Sequence, residues 1–194
     1  NKAAFTRARD FVFELRDFQV TISHFLYDQS KPDTLKPFLY KGAQHHSFSN
    51  RDMDFQGVIP KDGEFVYPKE DYNGFDNPHA EAILATADPL QRSVLLGAGF
   101  TARGCVQETI LGSFEKAANP DNHYAVIALD TTDLHPDAYQ SYMTDLFAQA
   151  GDDIRDRIGF AITPEISDTL TKAAQARPSQ SSQSRPYRVL GLQG

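Results

Sequence analysis

The chain has 194 residues, 40% of them hydrophobic and 23% charged, which fits one folded domain with a buried core. Its 19 Lys and Arg against 26 Asp and Glu residues give a net charge of −7, which disfavours binding to nucleic-acid phosphates. No apolar run approaches the roughly 18 residues of a membrane span, and the single cysteine, Cys105, excludes an intrachain disulfide and a cysteine-based zinc site.

The first part of the chain predicts one helix, one strand and a long irregular stretch. Apolar residues recur every three or four positions and predict a helix that begins after Thr6 and ends near Pro32. A short apolar run at 38–42 predicts a strand. Residues 43–76 are polar, aromatic and interrupted by glycine and proline, which is typical of a functional or mobile loop. The apolar face of the predicted helix consists of Phe11, Leu15, Phe18, Ile22 and Phe25.

From residue 77 onward, helical and strand patterns alternate. The near-continuous apolar run at 124–130 is the clearest strand, and it predicts a central strand that is covered on both faces. The whole pattern predicts an α+β fold of short strands, flanking helices and long loops. The other predicted elements are helices at 79–87, around 106–114, at 139–150 and around 166–174, and strands at 93–97 and 187–192.

Common short motifs are incomplete. Gly97-Ala98-Gly99 lacks the third glycine of a Rossmann loop, since Gly104 comes five residues after Gly99. His45 and His46 are adjacent and have no third ligand at metal-binding spacing, so we expect no metal. Cys105 carries no nucleophile signature and is expected to pack as a small apolar residue.

A series of short motifs runs from residue 38 to about residue 170. Tyr40-Lys41-Gly42 ends the first strand, a segment with glycine and proline follows at 55–63, and His79-Ala80 precedes Phe100-Thr101 and the strand at 124–130. This order resembles the ADP-ribosyltransferase superfamily in its cholera- and pertussis-toxin-like branch. The resemblance implies an ADP-ribosyltransferase-like fold with a split sheet of short strands.

The resemblance also implies a site and a substrate. NAD would be the substrate, bound by Tyr40, Lys41, Gly42, Phe100 and Thr101. Lys41 stands where the family has arginine, and a lysine lacks the bidentate fork that grips phosphate. Phe100-Thr101 stands at the family's Ser-Thr-Ser strand, and Phe100 would stack on nicotinamide.

The family's catalytic glutamate implies Glu165, with Thr163 where the family has an acid or a glutamine. A carboxylate there would stabilise the positive charge that develops when the nicotinamide–ribose bond breaks. Glu165 also suits the first turn of a helix on electrostatic grounds alone, and Lys41 suits an exposed strand end. Asp54, Asp76 or Asp88 would be the alternative acids.

The resemblance further implies the organisation and biological context of the chain. It would be a single catalytic domain with a helical segment at 1–36, an NAD-binding core at 37–176 and a loose segment at 177–194. We expect a monomeric toxin or effector, secreted or injected into a host cell, that modifies a host protein such as ubiquitin or a GTPase.

A second resemblance rests on residues 97–110. Gly97-Ala98-Gly99 followed by Gly104-Cys105-Val106-Gln107-Glu108-Thr109-Ile110 is similar to the signature of poly(ADP-ribose) glycohydrolase macrodomains. It implies an ADP-ribose glycohydrolase with Glu108 as the acid. Ala98 replaces the middle glycine of that family, and Thr109 replaces its second, catalytic acid. The remaining alternative is an inactive interaction module whose acidic surface suits a basic partner.

Overall fold

The structure, a computed structural model, describes residues 2–18, 20–27, 38–39, 60–85 and 92–176. Their strands form two three-stranded sheets, and helices surround the second sheet. This mixed architecture confirms the α+β prediction in its general form. In chain order the elements are α1 (Lys2–Asp17), β1 (Ser23–Tyr27), β2 (Phe38–Leu39), β3 (Phe65–Lys69), α2 (Glu81–Leu84), β4 (Ser93–Gly97), α3 (Gln107–Lys116), β5 (His123–Ala128), α4 (Tyr139–Ala150), α5 (Asp152–Arg155), β6 (Ile158–Ala161) and α6 (Thr163–Gln175).

The second sheet is fully parallel, with the strand order β4-β5-β6. Strand β5 lies in the middle, as its apolar run predicted. One face of the sheet presents Leu95, Ala125 and Ile127 to a core that α3 and α4 complete. The other face contributes Leu96 and Ala128 to a core with α1 and α6. The sheet is therefore covered on both sides, which explains why its strands lack apolar–polar alternation.

The first sheet differs from the sequence prediction. The predicted N-terminal helix is wrong beyond residue 17, because Ile22 lies outside α1 and Phe25 lies in β1, which pairs in parallel with β3. Residues 22–26 are all buried, so this segment has no exposed face of the kind that an amphipathic surface helix has. Thr6 is also not the predicted N-cap, since α1 begins at Lys2 and the Thr6 hydroxyl donates to the carbonyl of Lys2.

The stretch 43–76 contains a strand that the sequence did not predict. β3 lies between β1 and β2 although it contains Pro68, a residue that usually argues against an inner strand. β2 pairs only with Phe65 and Val66, so no ladder bond from β2 is required at Pro68. β6 was missed for a different reason, because its four residues are too few for a clear pattern. The predicted strand at 187–192 lies outside the described residues.

The buried side chain of His123 links β4, β5 and α3 at the amino end of the parallel sheet. The Ser113 hydroxyl donates to the carbonyl of Ile110 at 2.6 Å, so it accepts from His123 Nε2, which lies 2.8 Å away. His123 Nδ1 is then the acceptor for the Ser93 hydroxyl at 2.8 Å. Burial, aided by the charge of Arg157, lowers the pKa of His123 to about 4. The ring is therefore neutral and fully hydrogen-bonded at neutral pH.

The depressed pKa of His123 predicts a loss of stability on mild acidification. The unfolded chain binds a proton near pH 6.5 and the folded chain only near pH 4, so stability falls as the pH drops through this window. We expect the free energy of unfolding to fall by about 2 kcal/mol between about pH 7.5 and about pH 4.5. Urea denaturation at both pH values measures it. His123→Gln should lose this pH dependence, and exposed His79→Gln should keep it; equal pH dependence in both variants would contradict the assignment.

Candidate functional site

The carboxyl ends of β4, β5 and β6 meet at one edge of the parallel sheet, where α/β proteins commonly bind ligands. The loop after β4 begins with Ala98-Gly99, and Gly99 has a φ of 130°, a conformation that L side chains rarely adopt. The chain then makes a π-helical turn at Ala102–Val106 and continues directly into α3. The sheet edge thus leads straight into the helix that carries Glu108.

Two contacts fix the start of this helical segment. The backbone N–H of Ala102 donates to Asp133 Oδ1 at 2.7 Å, and the carbonyl of Ala102 accepts from the Tyr142 hydroxyl at 3.1 Å. Tyr142 is fully buried, and burial raises the pKa of its hydroxyl far above the usual range. The phenol therefore stays protonated and acts as a permanent donor. Both contacts hold the loop after β4 in one position relative to β5 and α4.

Glu108 lies on a helix face that is bordered by two glycines. A Cβ built on Gly104 would lie 2.7 Å from Thr101 Oγ1 and 3.2 Å from the ring of Tyr72. A Cβ on Gly112 would lie 2.5 Å from the amide of Asn73. Residues four apart share a helix face, so the Tyr72–Asn73 segment runs along the face that Glu108 occupies. The half-buried Glu108 carboxylate forms no hydrogen bond or ion pair with any described residue.

Thr109 holds the same segment in place. Its buried hydroxyl donates to the carbonyl of Tyr72 at 3.2 Å and accepts from the backbone N–H of Gly74 at 2.8 Å. The hydroxyl therefore acts both as donor and as acceptor in holding the backbone of this segment. Thr109, which stands where the glycohydrolase resemblance would place a second acid, is therefore an internal anchor.

Gln107 is buried next to Glu108. Its Nε2 donates to Gln149 Oε1 at 2.7 Å, which ties α3 to α4. Its own Oε1 is buried and has no hydrogen-bond partner among the described residues. A buried acceptor without a donor is costly, so Gln107 stabilises this part of α3 less than a fully paired side chain would.

A buried carboxylate organises the other half of the sheet edge. Asp130 follows β5 and accepts from the backbone N–H and the hydroxyl of Thr163, each at 2.9 Å. It also accepts from Arg7 of α1 at 3.2 Å. An open cavity of about 720 Å³ lies beside this contact, lined by α1 and Thr163. Of the predicted site residues that the structure describes, none lines this cavity.

The structure brings some of the residues predicted from the transferase resemblance to the same edge of the sheet. Phe100 and Thr101 follow β4, and Glu165 follows β6, so all three lie at the carboxyl edge of one sheet, on either side of β5. Thr101 and Glu165 are exposed, whereas Phe100 is buried against Phe5 of α1, with ring centroids 4.1 Å apart. In this position the Phe100 ring packs as a hydrophobic core residue.

Glu165 has a local structural role as well. Its carboxylate accepts from the backbone N–H of Ile162 at 3.2 Å and so caps the start of α6. This contact is the glutamate half of a capping box, since isoleucine offers no side-chain acceptor in return. Asp76 is exposed and accepts from Asn73. Tyr40, Lys41 and Gly42 lie outside the described residues, as do Asp54 and Asp88.

Sequence reasoning missed three residues that shape the site, namely Tyr72, Thr109 and Asp130. Asp130 ends the apolar run of β5, and a polar residue at the carboxyl end of a parallel strand is a usable signal. Tyr72 lies in a polar segment with no pattern. Thr109 was noted only as a departure from a signature, and its role appears only in three dimensions.

Comparisons with known proteins leave the family open: no family model matches the chain, and no curated protein matches it in sequence. Within the ranges that the structure covers, no group of three or more His, Cys, Asp or Glu residues is arranged to hold a metal ion. No helix in the same ranges is long and apolar enough to cross a membrane.

The anchoring role of Thr109 is testable by an isosteric substitution. Thr109→Val removes the hydroxyl and leaves the buried N–H of Gly74 without its acceptor, so we expect the free energy of unfolding to fall by about 1–3 kcal/mol. Urea denaturation measures the change. Thr144→Val, an exposed threonine on α4, is the control and should change stability far less. Equal effects of the two variants would argue against an anchor at position 109.

Proposed function

We propose that this domain binds ADP-ribosyl groups and hydrolyses the bond that joins them to a modified protein, with Glu108 as the acting acid. The observation that carries the proposal is the course of the chain after β4, which passes through the Gly99 loop and enters α3. Only the helical turn before α3 separates Glu108 from the carboxyl edge of the parallel sheet. That edge is the usual ligand position in such sheets. The string from Gly104 to Ile110 that resembles the glycohydrolase signature lies in this segment.

The chemistry needs one carboxylate near the scissile bond. Cleavage at the ribose carbon develops positive charge on the sugar, and a carboxylate beside it stabilises that charge while water adds to the carbon. The attacking water loses a proton, and the side chain of the modified protein leaves with that proton. Glu108 is suited to this role because its carboxylate makes no ion pair or hydrogen bond with a described residue and lies in the first turn of α3.

Glu108→Gln tests the proposal directly. We expect release of ADP-ribose from a mono-ADP-ribosylated protein to fall by about 100-fold or more, since glutamine keeps the shape but not the charge. Product release is followed by chromatography. Glu115→Gln, an exposed glutamate on the same helix, is the matched control and should retain the wild-type rate. A wild-type chain that releases no ADP-ribose, or a fully active Glu108→Gln variant, would overturn the proposal.

The second candidate function is the transfer of ADP-ribose from NAD to a host protein, with Glu165 as the catalytic acid. The observation that favours it is the common position of Thr101 and Glu165, both exposed, at the carboxyl edge of the parallel sheet. In this reading the ADP-ribosyltransferase-like core binds NAD, and the chain acts after secretion or injection on a protein such as ubiquitin or a GTPase.

Labelled NAD and a eukaryotic lysate test the transferase candidate. If Glu165 stabilises the developing charge, Glu165→Gln should abolish labelling of the host protein but leave the melting temperature nearly unchanged, because glutamine can still accept from Ile162. Asp168→Asn, an exposed acid on the same helix, should label as the wild type does. No labelled band with the wild-type chain would reject this candidate and leave the hydrolase assay as the deciding one.

A further inference from the structure

Tyr72 is a large aromatic side chain that stays in solvent next to the candidate site. Its exposed fraction is 55%, the highest among the large hydrophobic side chains that the structure describes. Its ring lies against Gly104, whose missing side chain allows this approach. An aromatic ring left exposed beside a site with an unpaired carboxylate is a typical ligand contact.

The backbone of Tyr72 is held firmly while its ring is exposed. Its N–H donates to Asp71 Oδ1 at 2.7 Å, and its carbonyl accepts from Thr109 Oγ1 at 3.2 Å and from Lys69 Nζ at 3.4 Å. Lys69, which makes the last of these contacts, is itself buried, with an exposed fraction of only 2%. Fixing the backbone that carries the ring before a ligand arrives lowers the entropic cost of binding.

The ring and the Glu108 carboxylate lie on the same side of α3. Side chains on a helix lean toward its N-terminus, so the Glu108 side chain extends over the turn that contains Gly104. Gly104 is also the residue that the Tyr72 ring contacts. The ring and the carboxylate therefore border the same stretch of the α3 surface, where Tyr72 packs against Gly104 and Asn73 against Gly112.

We propose that Tyr72 is a positioning residue for the terminal ribose of an ADP-ribosyl group, with its ring against the apolar C–H face of the sugar. This inference rests on the proposed hydrolase function, since it places at Tyr72 the sugar whose bond is cleaved beside Glu108. The adenosine part of the ligand would extend away from Tyr72, along the sheet edge.

Calorimetric titration with ADP-ribose and with ADP, which lacks the terminal ribose, tests the assignment. Tyr72→Ala should raise the Kd for ADP-ribose by about fivefold or more and leave the Kd for ADP unchanged. Tyr72→Phe keeps the ring and should bind ADP-ribose within about twofold of the wild type. Phe13→Ala removes another exposed aromatic, with an exposed fraction of 54%, and should change neither Kd.

The outcomes separate the inference from the proposed function. If the wild type binds ADP-ribose but Tyr72→Ala binds it equally well, the positioning role is wrong and the hydrolase proposal stands. An equal rise in both Kd values would place Tyr72 at the adenosine part and overturn the assignment to the terminal ribose. If the wild type binds neither ligand, the proposed function and this inference both fail.

Discussion

The carboxyl edge of the parallel sheet depends on one buried carboxylate. Asp130 is 6% exposed and carries three hydrogen bonds, two from Thr163 and one from Arg7. A buried charge is tolerated only when it is paired and hydrogen-bonded, so the start of α6 and the position of α1 are both constrained by the end of β5. Three elements far apart in the chain thus meet at one residue, and the edge where a ligand would bind acquires a fixed shape.

This arrangement also decides which groups at the edge a ligand can reach. Arg7 of α1 reaches Asp130, with an open cavity beside this contact, and Phe5 of α1 covers Phe100, which follows Gly99 after β4. From Thr101 onward the chain turns into α3, and there Thr101 is exposed and Glu108 half-buried. Because the ring of Phe100 is covered, it is not available to stack on a ligand, and the hydrolase proposal is therefore preferred to one that relies on Phe100 as a stacking ring.

The sequence predicted the parallel sheet better than the rest of the fold. The apolar runs of β4 and β5 are long enough to identify, and the helices α3, α4 and α6 carry a regular apolar face. Ile22 and Phe25 continue the helical spacing of α1 by coincidence, and only pairing with β3 makes their segment a strand. Glu108 became a candidate because it lies in a contiguous string. Asp130 and Tyr72 act through partners 33 and 37 residues away, a relation that no local pattern contains.

Thr109 connects the fold to the chemistry. A carboxylate at this buried position could not donate to the carbonyl of Tyr72, and a buried charge without its full set of hydrogen bonds is strongly unfavourable. A hydroxyl fits because it donates to the carbonyl of Tyr72 and accepts from the N–H of Gly74 with no net charge. Thr109, which stands where the glycohydrolase resemblance would place a second acid, therefore holds the Tyr72 segment against α3. In the proposed site a single acid needs more help from orientation, and an aromatic ring on an anchored backbone beside Glu108 is a physical means of supplying it.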